Sequence, residues 1–441
     1  MPALTGKRDE RDRRLNGQNI LIKNAHFYDA PYGERKDVAI RDGKIAHVGK
    51  APADFAADTV IDASHKTIMP GFVNCHTHAY MTLFRGYADD LPFHTWLFDR
   101  ILPIEDSLTG EEAYWGTILA YAEMIRSGTT SMVDMHMFPK TVVRAAKDTG
   151  MRTVLTRGIT GSDRRDPGAQ RRIGEMLAEK EYAEEIGADA TFMFGPHAIY
   201  TCGEDLLKYI AELSGETGLP VHLHLAETKK EFDDCLAEHG KTTVSYLADT
   251  GLLERPILLA HCVYLTDEDI ALLARPNVSV ATNPASNAKL ANGFAPVAKM
   301  LKAGVRVCLG TDGASSNNSL NMISEMRLLS LLQKGETKDA LALTAPETMK
   351  IAVRNGYEAA GLAQRCGRIE EGYEADLILI DEDAPHLLPQ FDFRAAFTYA
   401  ANGSEVTDSI IHGKLIMRDR MLLTIDEERM RSEIVKIIKR F

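Results

Sequence analysis

The chain has 441 residues, of which 45% are hydrophobic and 26% are charged, and its formal net charge is −12. That length is enough for one large domain with a buried core and a smaller second domain. The acidic balance excludes a general binder of nucleic acid or of anionic membranes, and no apolar run approaches the roughly 18 residues of a membrane span.

The start of the chain and its cysteines bear on where the protein works. Residues 1–17 are charged and hold no apolar stretch of signal-peptide type, so we predict a disordered leader and a cytoplasmic protein. None of the six cysteines forms a Cys-x-x-Cys pair, so neither a disulfide framework nor a cysteine zinc site is predicted. Histidines and carboxylates would therefore have to hold any metal.

Short β-type segments occur near both ends of the chain. In residues 18–66 they read "NILIKNAHFYDA" and "DVAIRDGKIAHVG", with Asp42-Gly43 as a hairpin turn signal. Residues 367–425 return to the same style in "GRIEEGYEADLILID" and "VTDSIIHGKLIMRDRMLL". We predict that both ends together form a small β-sandwich domain. Residues 426–441 should form a helix that docks through one apolar face, made of Met430, Ile434, Ile437, Ile438 and Phe441.

The middle of the chain, residues 67–366, alternates apolar runs with helical periodicity. The stretch after Thr109 is typical: Thr109 is a candidate N-cap, and Gly128 lies past the helix end. Eight strands alternating with helices favour a (β/α)8 TIM barrel over a doubly wound sheet. The eight runs are "TIMPGFVNCH", "TTSMVDM", "RTVLTRG", "TFMFGPH", "PVHLHLAE", "PILLAHC", "VSVATNP" and "VRVCLGTD".

Polar side chains gather at the carboxyl ends of these runs. The residues in question are His76 and His78 (run one), Arg157 (three), His197 (four), His224 and Glu227 (five), His261 (six) and Asp312 (eight). A barrel of this kind builds its active site from the carboxyl ends of its strands. We therefore predict that these side chains meet at one site.

The donor types at this predicted site indicate a metal. His76 and His78 alternate along a strand, so both can face the barrel lumen, and His224 and Asp312 can complete a zinc-type site with a position open for water. His222 has the same parity as His224 but lies deeper in its strand, and it stays open as an alternative ligand. Runs three and four lack a lysine that could bridge two ions, so one divalent ion per subunit is predicted: zinc, with iron and manganese as alternatives.

A divalent ion at such a site generates hydroxide by lowering the pKa of bound water to about 7. Asp312 could then act as the base for the water, and Glu227 could donate a proton to a ring nitrogen of the substrate. His261 could polarise the hydroxide or stabilise the oxyanion. The alternative for Glu227 is an exposed carboxylate that opens the next helix. Loop asparagines after runs seven and eight are interpreted as turn and capping residues: Asn283, Asn287 and Asn317.

Seven motifs together carry a family resemblance. They are "PGFVNCHTH", "LPIED", "GPHAIYTC", "HLAET", "AHCVYL", "NPASNAKL" and "LGTDGASSNNSLN". Over residues 18–425 the chain resembles the amidohydrolase superfamily and, within it, the 5-methylthioadenosine/S-adenosylhomocysteine deaminases. The resemblance implies metal-dependent hydrolytic deamination of adenine nucleosides to an inosine-type product and ammonia, with adenosine as a further candidate substrate. The alternative is a deaminase or dechlorinase of a free base or triazine that uses the same metal site.

The resemblance also assigns roles residue by residue. It implies metal ligation by His76, His78, His224 and Asp312, and catalytic roles for Glu227, His261 and Asp312; Glu227 and Asp312 would also contact the substrate.

Further from the metal, the resemblance gives Glu105 to the ribose hydroxyls, although by its sequence alone Glu105 reads as a helix carboxylate. Arg157 and His197 match substrate-contacting positions. A second arginine, Arg171 or Arg172 with Arg172 preferred, would pair with the carboxylate of a homocysteine tail. Trp96 is either part of the purine pocket or part of the core. Enzymes of this type commonly form homo-oligomers, so one is expected here.

Overall fold

The structure is a computed structural model and describes residues 18–31 and 33–441. The predicted leader, residues 1–17, lies outside the described residues. Two sheets organise the rest: an eight-stranded parallel barrel and a nine-stranded sheet made by the two chain ends. The predicted (β/α)8 barrel with a second β domain from both ends is confirmed.

The strands are β1 (Ile20–Phe27), β2 (Arg35–Arg41), β3 (Lys44–Gly49), β4 (Thr59–Asp62), β5 (Lys66–Pro70), β6 (Phe72–Thr77), β7 (Thr129–His136), β8 (Arg152–Ile159), β9 (Ala190–Pro196), β10 (Val221–Leu225), β11 (Ile257–His261), β12 (Val278–Thr282), β13 (Arg306–Leu309), β14 (Leu377–Asp381), β15 (Val406–Ile411), β16 (Lys414–Arg418) and β17 (Met421–Leu422).

The α-helices are α1 (Leu102–Glu105), α2 (Gly110–Arg126), α3 (Thr141–Thr149), α4 (Pro167–Ile186), α5 (Glu204–Thr217), α6 (Lys229–His239), α7 (Thr243–Asp249), α8 (Asp267–Leu273), α9 (Pro284–Lys289), α10 (Val297–Lys302), α11 (Met322–Thr337), α12 (Ala345–Ala352), α13 (Arg354–Ala359), α14 (Phe393–Ala400) and α15 (Glu427–Ile438). Shorter 3-10 segments cover Ala79–Phe84, Leu252–Glu254 and Pro385–Leu387, and a π-helix covers Thr95–Ile101. None of the helices in the described part of the chain is both long enough and apolar enough to cross a membrane.

Strands β6 to β13 form the barrel in chain order, each parallel to the next. The first and last strands meet at their carboxyl ends, where the backbone N–H of Asp312 donates to the carbonyl of His76 at 2.9 Å. All eight predicted runs are barrel strands, but run one is divided. Its first part, Lys66–Pro70, belongs to the chain-end sheet, and only Phe72–Thr77 enters the barrel, so the predicted boundary at residue 67 falls inside β5.

Local sequence signals fix the helix ends as predicted. The hydroxyl of Thr109 accepts the N–H of Glu112, and the Glu112 carboxylate accepts the N–H of Thr109, so α2 begins with a capping box. Beyond the end of the same helix, Gly128 has a positive φ of 89°. A residue with a Cβ would be strained at this φ, whereas glycine adopts it freely and lets the chain turn back into β7.

The chain-end sheet joins the two ends through β5, which pairs with β1 on one side and with β14 on the other. Asp42 and Gly43 have positive φ values of 50° and 80°, as the predicted hairpin between β2 and β3 requires. Helix α15 packs against α2 and buries Met430 and Ile437. The prediction is wrong for Ile438, which is 50% exposed.

Candidate active site

Three histidines and one aspartate converge at the carboxyl ends of the barrel strands. Nε2 of His78 lies 3.3 Å from Nε2 of His224 and 3.4 Å from Oδ1 of Asp312. Nε2 of His76 lies 3.5 Å from the same carboxylate oxygen. This Nε2 atom of His76 is buried and has no hydrogen-bond partner. The structure thus brings together the four residues predicted from the sequence to bind a metal.

Backbone carbonyls fix the tautomers of two of these rings. Nδ1 of His78 lies 2.7 Å from the carbonyl oxygen of Met135, and Nδ1 of His224 lies 2.8 Å from that of His197. A carbonyl oxygen only accepts, so each Nδ1 carries the hydrogen and each neutral ring presents a lone pair on Nε2. Burial lowers the pKa of His224 well below its ordinary value and so keeps this ring neutral.

This arrangement fits a divalent cation. Two imidazole lone pairs that face each other at 3.3 Å repel unless a positive charge lies between them. Histidine nitrogens with one carboxylate oxygen form the donor set of a catalytic site for zinc or a similar ion.

Asp312 is held on its other side by two serine hydroxyls. Oδ2 accepts hydrogen bonds from Ser286 Oγ at 2.6 Å and from Ser316 Oγ at 2.8 Å, and Oδ1 also accepts the N–H of Gly313. Burial alone would raise the pKa of Asp312, but the neighbouring His76 and His78 rings outweigh it and hold the pKa well below its ordinary value. Asp312 is therefore a fixed carboxylate with Oδ1 turned toward the histidines.

His261 stands beside this cluster with Nε2 toward it. One nitrogen from each of His76, His224 and His261 lies within 4.8 Å of the others. Nδ1 of His261 donates to Oδ1 of Asn287 at 2.9 Å, and Nδ2 of Asn283 lies 3.3 Å from the same nitrogen. The turn-and-capping interpretation is therefore wrong for Asn287 and incomplete for Asn283.

For Asn317 the loop interpretation agrees with the structure. Its Nδ2 donates to the carbonyl of Thr311 at 2.7 Å and to Glu325 at 2.8 Å, so this side chain ties the loop after β13 to helix α11.

Glu227 lies at the mouth of β10 with its carboxyl group buried against the same cluster. Its Oε2 is 3.8 Å from Nε2 of His261, and its Oε1 accepts a hydrogen bond from Asn292 at 3.1 Å. Burial and the nearby Asp312 charge raise the pKa of Glu227 to about 8. The side chain is only 6% exposed, so it is not the solvated loop carboxylate of the alternative interpretation.

The backbone of this face is strained at the functional positions. Ala226, His261 and Asp312 all have positive φ, at 53°, 74° and 62°. Each such residue costs on the order of 1–3 kcal/mol, and strain of this kind clusters at functional sites.

A pocket of about 180 Å³ opens over the cluster, and its wall is largely apolar and aromatic. Trp96 and Phe93 lie in this wall, and Trp96 also donates through Nε1 to the carbonyl of Ser315 at 3.2 Å. Trp96 is thus a pocket residue. Glu105 lines the pocket as well, 7% exposed, and accepts a hydrogen bond from the hydroxyl of Tyr80. Burial raises the pKa of Glu105.

The other predicted substrate residues differ in whether they line the pocket. His197 lines the pocket, with Nδ1 3.0 Å from the hydroxyl of Thr201. Arg157 is not in the pocket wall: its Nε donates to Glu175 at 2.9 Å and its Nη1 to the carbonyl of Gly158.

The two candidates for the second arginine differ in exposure and in what they contact. Arg171 forms an exposed ion pair with Glu175. Arg172 lies partly buried, 3.4 Å through Nη1 from the carbonyl of the pocket residue Thr160, and its Nε has no partner. Of the two, Arg172 is the one that contacts a pocket residue, although neither arginine lines the pocket itself, and the preference for Arg172 stays a prediction.

Sequence reasoning missed several residues that shape the site, namely Tyr80, Ser286, Ser316, Asn287 and Glu231. Glu231 could have been noticed, since it lies three residues after Thr228 at a helix start, the spacing of a cap. Ser316 lies four residues after Asp312 and contacts it within one loop, whereas Tyr80, Ser286 and Asn287 make contacts between separate elements, for which no sequence signal exists.

The barrel, its buried donor set and the carboxyl group of Glu227 define a metal-dependent hydrolase. Residues 67–416 match the model of the amidohydrolase family, and the chain belongs to this family.

Relatives with assigned activities lie close in sequence. The chain is 45% identical over 406 residues to a 5-methylthioadenosine/S-adenosylhomocysteine deaminase of Desulforamulus reducens, covering 91% of this chain and 93% of that protein. It is 41% identical to a 5′-deoxyadenosine deaminase of Methanosarcina barkeri, covering 95% and 97%. Among solved structures, a zinc-bound adenosine deaminase from Xanthomonas campestris superposes with a TM-score of 0.89 at 32% identity, covering 97% of this chain and 100% of that one.

Proposed function

We propose that this protein deaminates adenine nucleosides hydrolytically, replacing the C6 amino group by oxygen and releasing ammonia. The substrates in view are 5-methylthioadenosine, S-adenosylhomocysteine and adenosine. The observation that carries the proposal is the pairing of Glu227 with His261 beside the metal-type donor set, within a pocket whose wall also holds Glu105. The relatives that cover nearly the whole chain support the same chemistry.

The chemistry divides among the residues around the cluster. His76, His78, His224 and Asp312 would hold a divalent ion, which when bound would lower the pKa of water to about 7 and so make hydroxide available at neutral pH. Glu227, which burial keeps protonated, donates its proton to N1 of the adenine ring. With Nδ1 donating to Asn287, the neutral His261 ring presents a lone pair on Nε2 that polarises the attacking hydroxide, and only the doubly protonated ring stabilises the oxyanion on C6. Asp312 accepts the remaining proton of the attacking hydroxide at Oδ1 and passes it to the leaving amine, and the proton released when the next water ionises restores Glu227.

The pocket wall supplies substrate binding. Trp96 and Phe93 offer aromatic surface for the purine, and Glu105 offers a carboxylate to the ribose hydroxyls. His197 contacts the substrate from the same wall. Free bases and triazines have no hydroxyls for the buried Glu105 to bind, so this residue favours a nucleoside over the alternative substrates.

We assign the carboxylate of a homocysteine tail to Arg172, whose Nε is buried without a partner and whose Nη1 lies 3.4 Å from the carbonyl of the pocket residue Thr160. Arg157 keeps a substrate-binding role in the proposal only if that carboxylate replaces Glu175 as its partner.

We propose one zinc ion per subunit, with iron or manganese as alternatives. Strands β8 and β9 contain no lysine at their carboxyl ends, so no side chain is available there to bridge two ions. We also propose that the protein is a homo-oligomer, which sedimentation tests, and that it is cytoplasmic, which cell fractionation tests.

The first experiment measures ammonia release from S-adenosylhomocysteine, methylthioadenosine, adenosine, guanine and a chlorotriazine, on protein with assayed metal content. Turnover of the nucleosides and its loss in Glu227→Gln are expected, with Glu238→Gln on the exposed face of α6 as the matched control. Turnover of only guanine or the triazine would keep the metal site and reject the nucleoside assignment. Full activity in Glu227→Gln would reject the proton-donor role.

A further inference from the structure

His222 is fully buried inside the barrel, two residues before His224 on β10. Because it is two residues from His224, its side chain lies on the same side of the strand and could reach the metal cluster. Its role therefore depends on what its two ring nitrogens contact. Nδ1 lies 2.9 Å from the carbonyl oxygen of Leu258, its register partner on β11. Because a carbonyl only accepts, Nδ1 of His222 carries the hydrogen.

The second nitrogen of His222 faces His76 across the barrel. Nε2 of His222 lies 2.9 Å from Nδ1 of His76. In the neutral ring this Nε2 has only a lone pair to offer, so Nδ1 of His76 must donate to it. His76 is then left with a free lone pair on Nε2, the atom that lies 3.5 Å from Oδ1 of Asp312. Both nitrogens of His222 are occupied, so it has none left for the metal.

The three histidine ligands differ in what fixes them. His78 and His224 donate to backbone carbonyls, which the barrel itself holds in place. Among these three, only His76 donates its Nδ1 hydrogen to another side chain. Without that acceptor, the His76 hydrogen would either remain buried without a partner or move to Nε2, where it would block metal binding.

We propose that His222 is a positioning residue that sets the tautomer and orientation of His76 for metal binding, through the hydrogen-bond chain from Leu258 to His222 to His76. The proposal rests on the metal site alone and is independent of which nucleoside is the substrate.

Two substitutions separate this role from simple space filling. His222→Gln keeps an oxygen to accept from His76 and an amide N–H to donate to Leu258, whereas His222→Leu removes both. Leu223→Ala, which truncates a buried side chain on the opposite face of the same strand, is the control for a general loss of stability.

The readouts are zinc affinity, by competition with a chromogenic chelator, and the visible absorption spectrum of the cobalt-substituted protein. We expect His222→Leu to bind zinc about 10- to 100-fold more weakly and to change the cobalt spectrum. His222→Gln should stay close to wild type in both, and Leu223→Ala should lower the melting temperature without changing zinc affinity.

Unchanged zinc affinity in His222→Leu would overturn the proposal. A loss in His222→Gln as large as in His222→Leu would also overturn it, because it would mean that the imidazole itself is a ligand. If His222→Leu does not fold, a loss of zinc affinity in His222→Gln would by itself still overturn the proposal. Metal binding is the readout, so either failure is distinguishable from failure of the deaminase assignment, which ammonia release tests.

Discussion

Glu231 offers the sharpest test of how the fold holds Glu227, the proposed proton donor. This carboxylate is 5% exposed and accepts two backbone hydrogen bonds, from the N–H of Ala226 at 2.9 Å and of Glu227 at 2.8 Å. Ala226 is one of the strained residues, with φ of 53°. Glu231 therefore holds a strained turn in the conformation that aims Glu227 into the pocket.

The size of the effect of Glu231→Ala follows from these contacts. Burial raises the pKa of Glu231 to about 7, so above that pH the group is a charged acceptor, and each of the two hydrogen bonds lost contributes about 1.5–3 kcal/mol. Water can enter the space that the side chain leaves and recover part of this, so we expect a loss of about 3 kcal/mol in the free energy of unfolding. Relaxation of the turn moves Glu227, and each 1.4 kcal/mol lost from transition-state stabilisation lowers kcat/KM about tenfold.

The assay combines denaturant unfolding with kcat/KM for ammonia release. Glu231→Ala should lower stability and lower kcat/KM about 10- to 100-fold. Glu231→Gln, which keeps one acceptor oxygen, should fall between Glu231→Ala and wild type. Glu238→Gln on the same helix should leave both quantities unchanged. If Glu231→Ala loses stability but keeps full kcat/KM, the carboxylate supports only the fold and the reasoning is refuted.

Three further predictions concern metal, acid and substrate. Chelation should abolish activity and lower the melting temperature, with zinc restoring both, since an ion at 1,000 times its Kd stabilises by about 4 kcal/mol. Unfolding by acid should involve Glu382: burial opposes its charge, but His26 and Arg35 lower its pKa to about 2. The stability from this depressed pKa, about 3 kcal/mol, is present above pH 4.5 and lost as the pH falls toward 2. Glu382→Gln should flatten stability curves across that range, and an unchanged slope would contradict this. Finally, Arg172→Ala should raise KM for S-adenosylhomocysteine more than for methylthioadenosine, whereas Arg171→Ala should affect neither; equal effects on both substrates would count against the carboxylate assignment.

The sequence by itself determined the architecture and which histidines and aspartate meet at the strand ends. Eight apolar runs with helices between them predict a barrel, and a barrel places the ends of its strands together, so His76, His224 and Asp312 had to meet. The caps at Thr109 and the hairpin at Asp42-Gly43 are local, because the hydrogen bonds and φ values involved span only a few residues. Patterns of this short range can be recognised without the fold.

The tertiary structure alone decided what each side chain does at the site. In the sequence, His222 and His224 are two residues apart and lie on the same side of their strand, so either could be the ligand. Only the contacts of His222 with Leu258 and His76 show that its two nitrogens are already occupied. Nor does the sequence give a reason to join Asn287 to His261. These contacts link residues on different strands and helices, and the one between His76 and His222 joins positions 146 residues apart. A hydrogen bond depends on the distance and direction between two atoms, and those are fixed only after the barrel has closed.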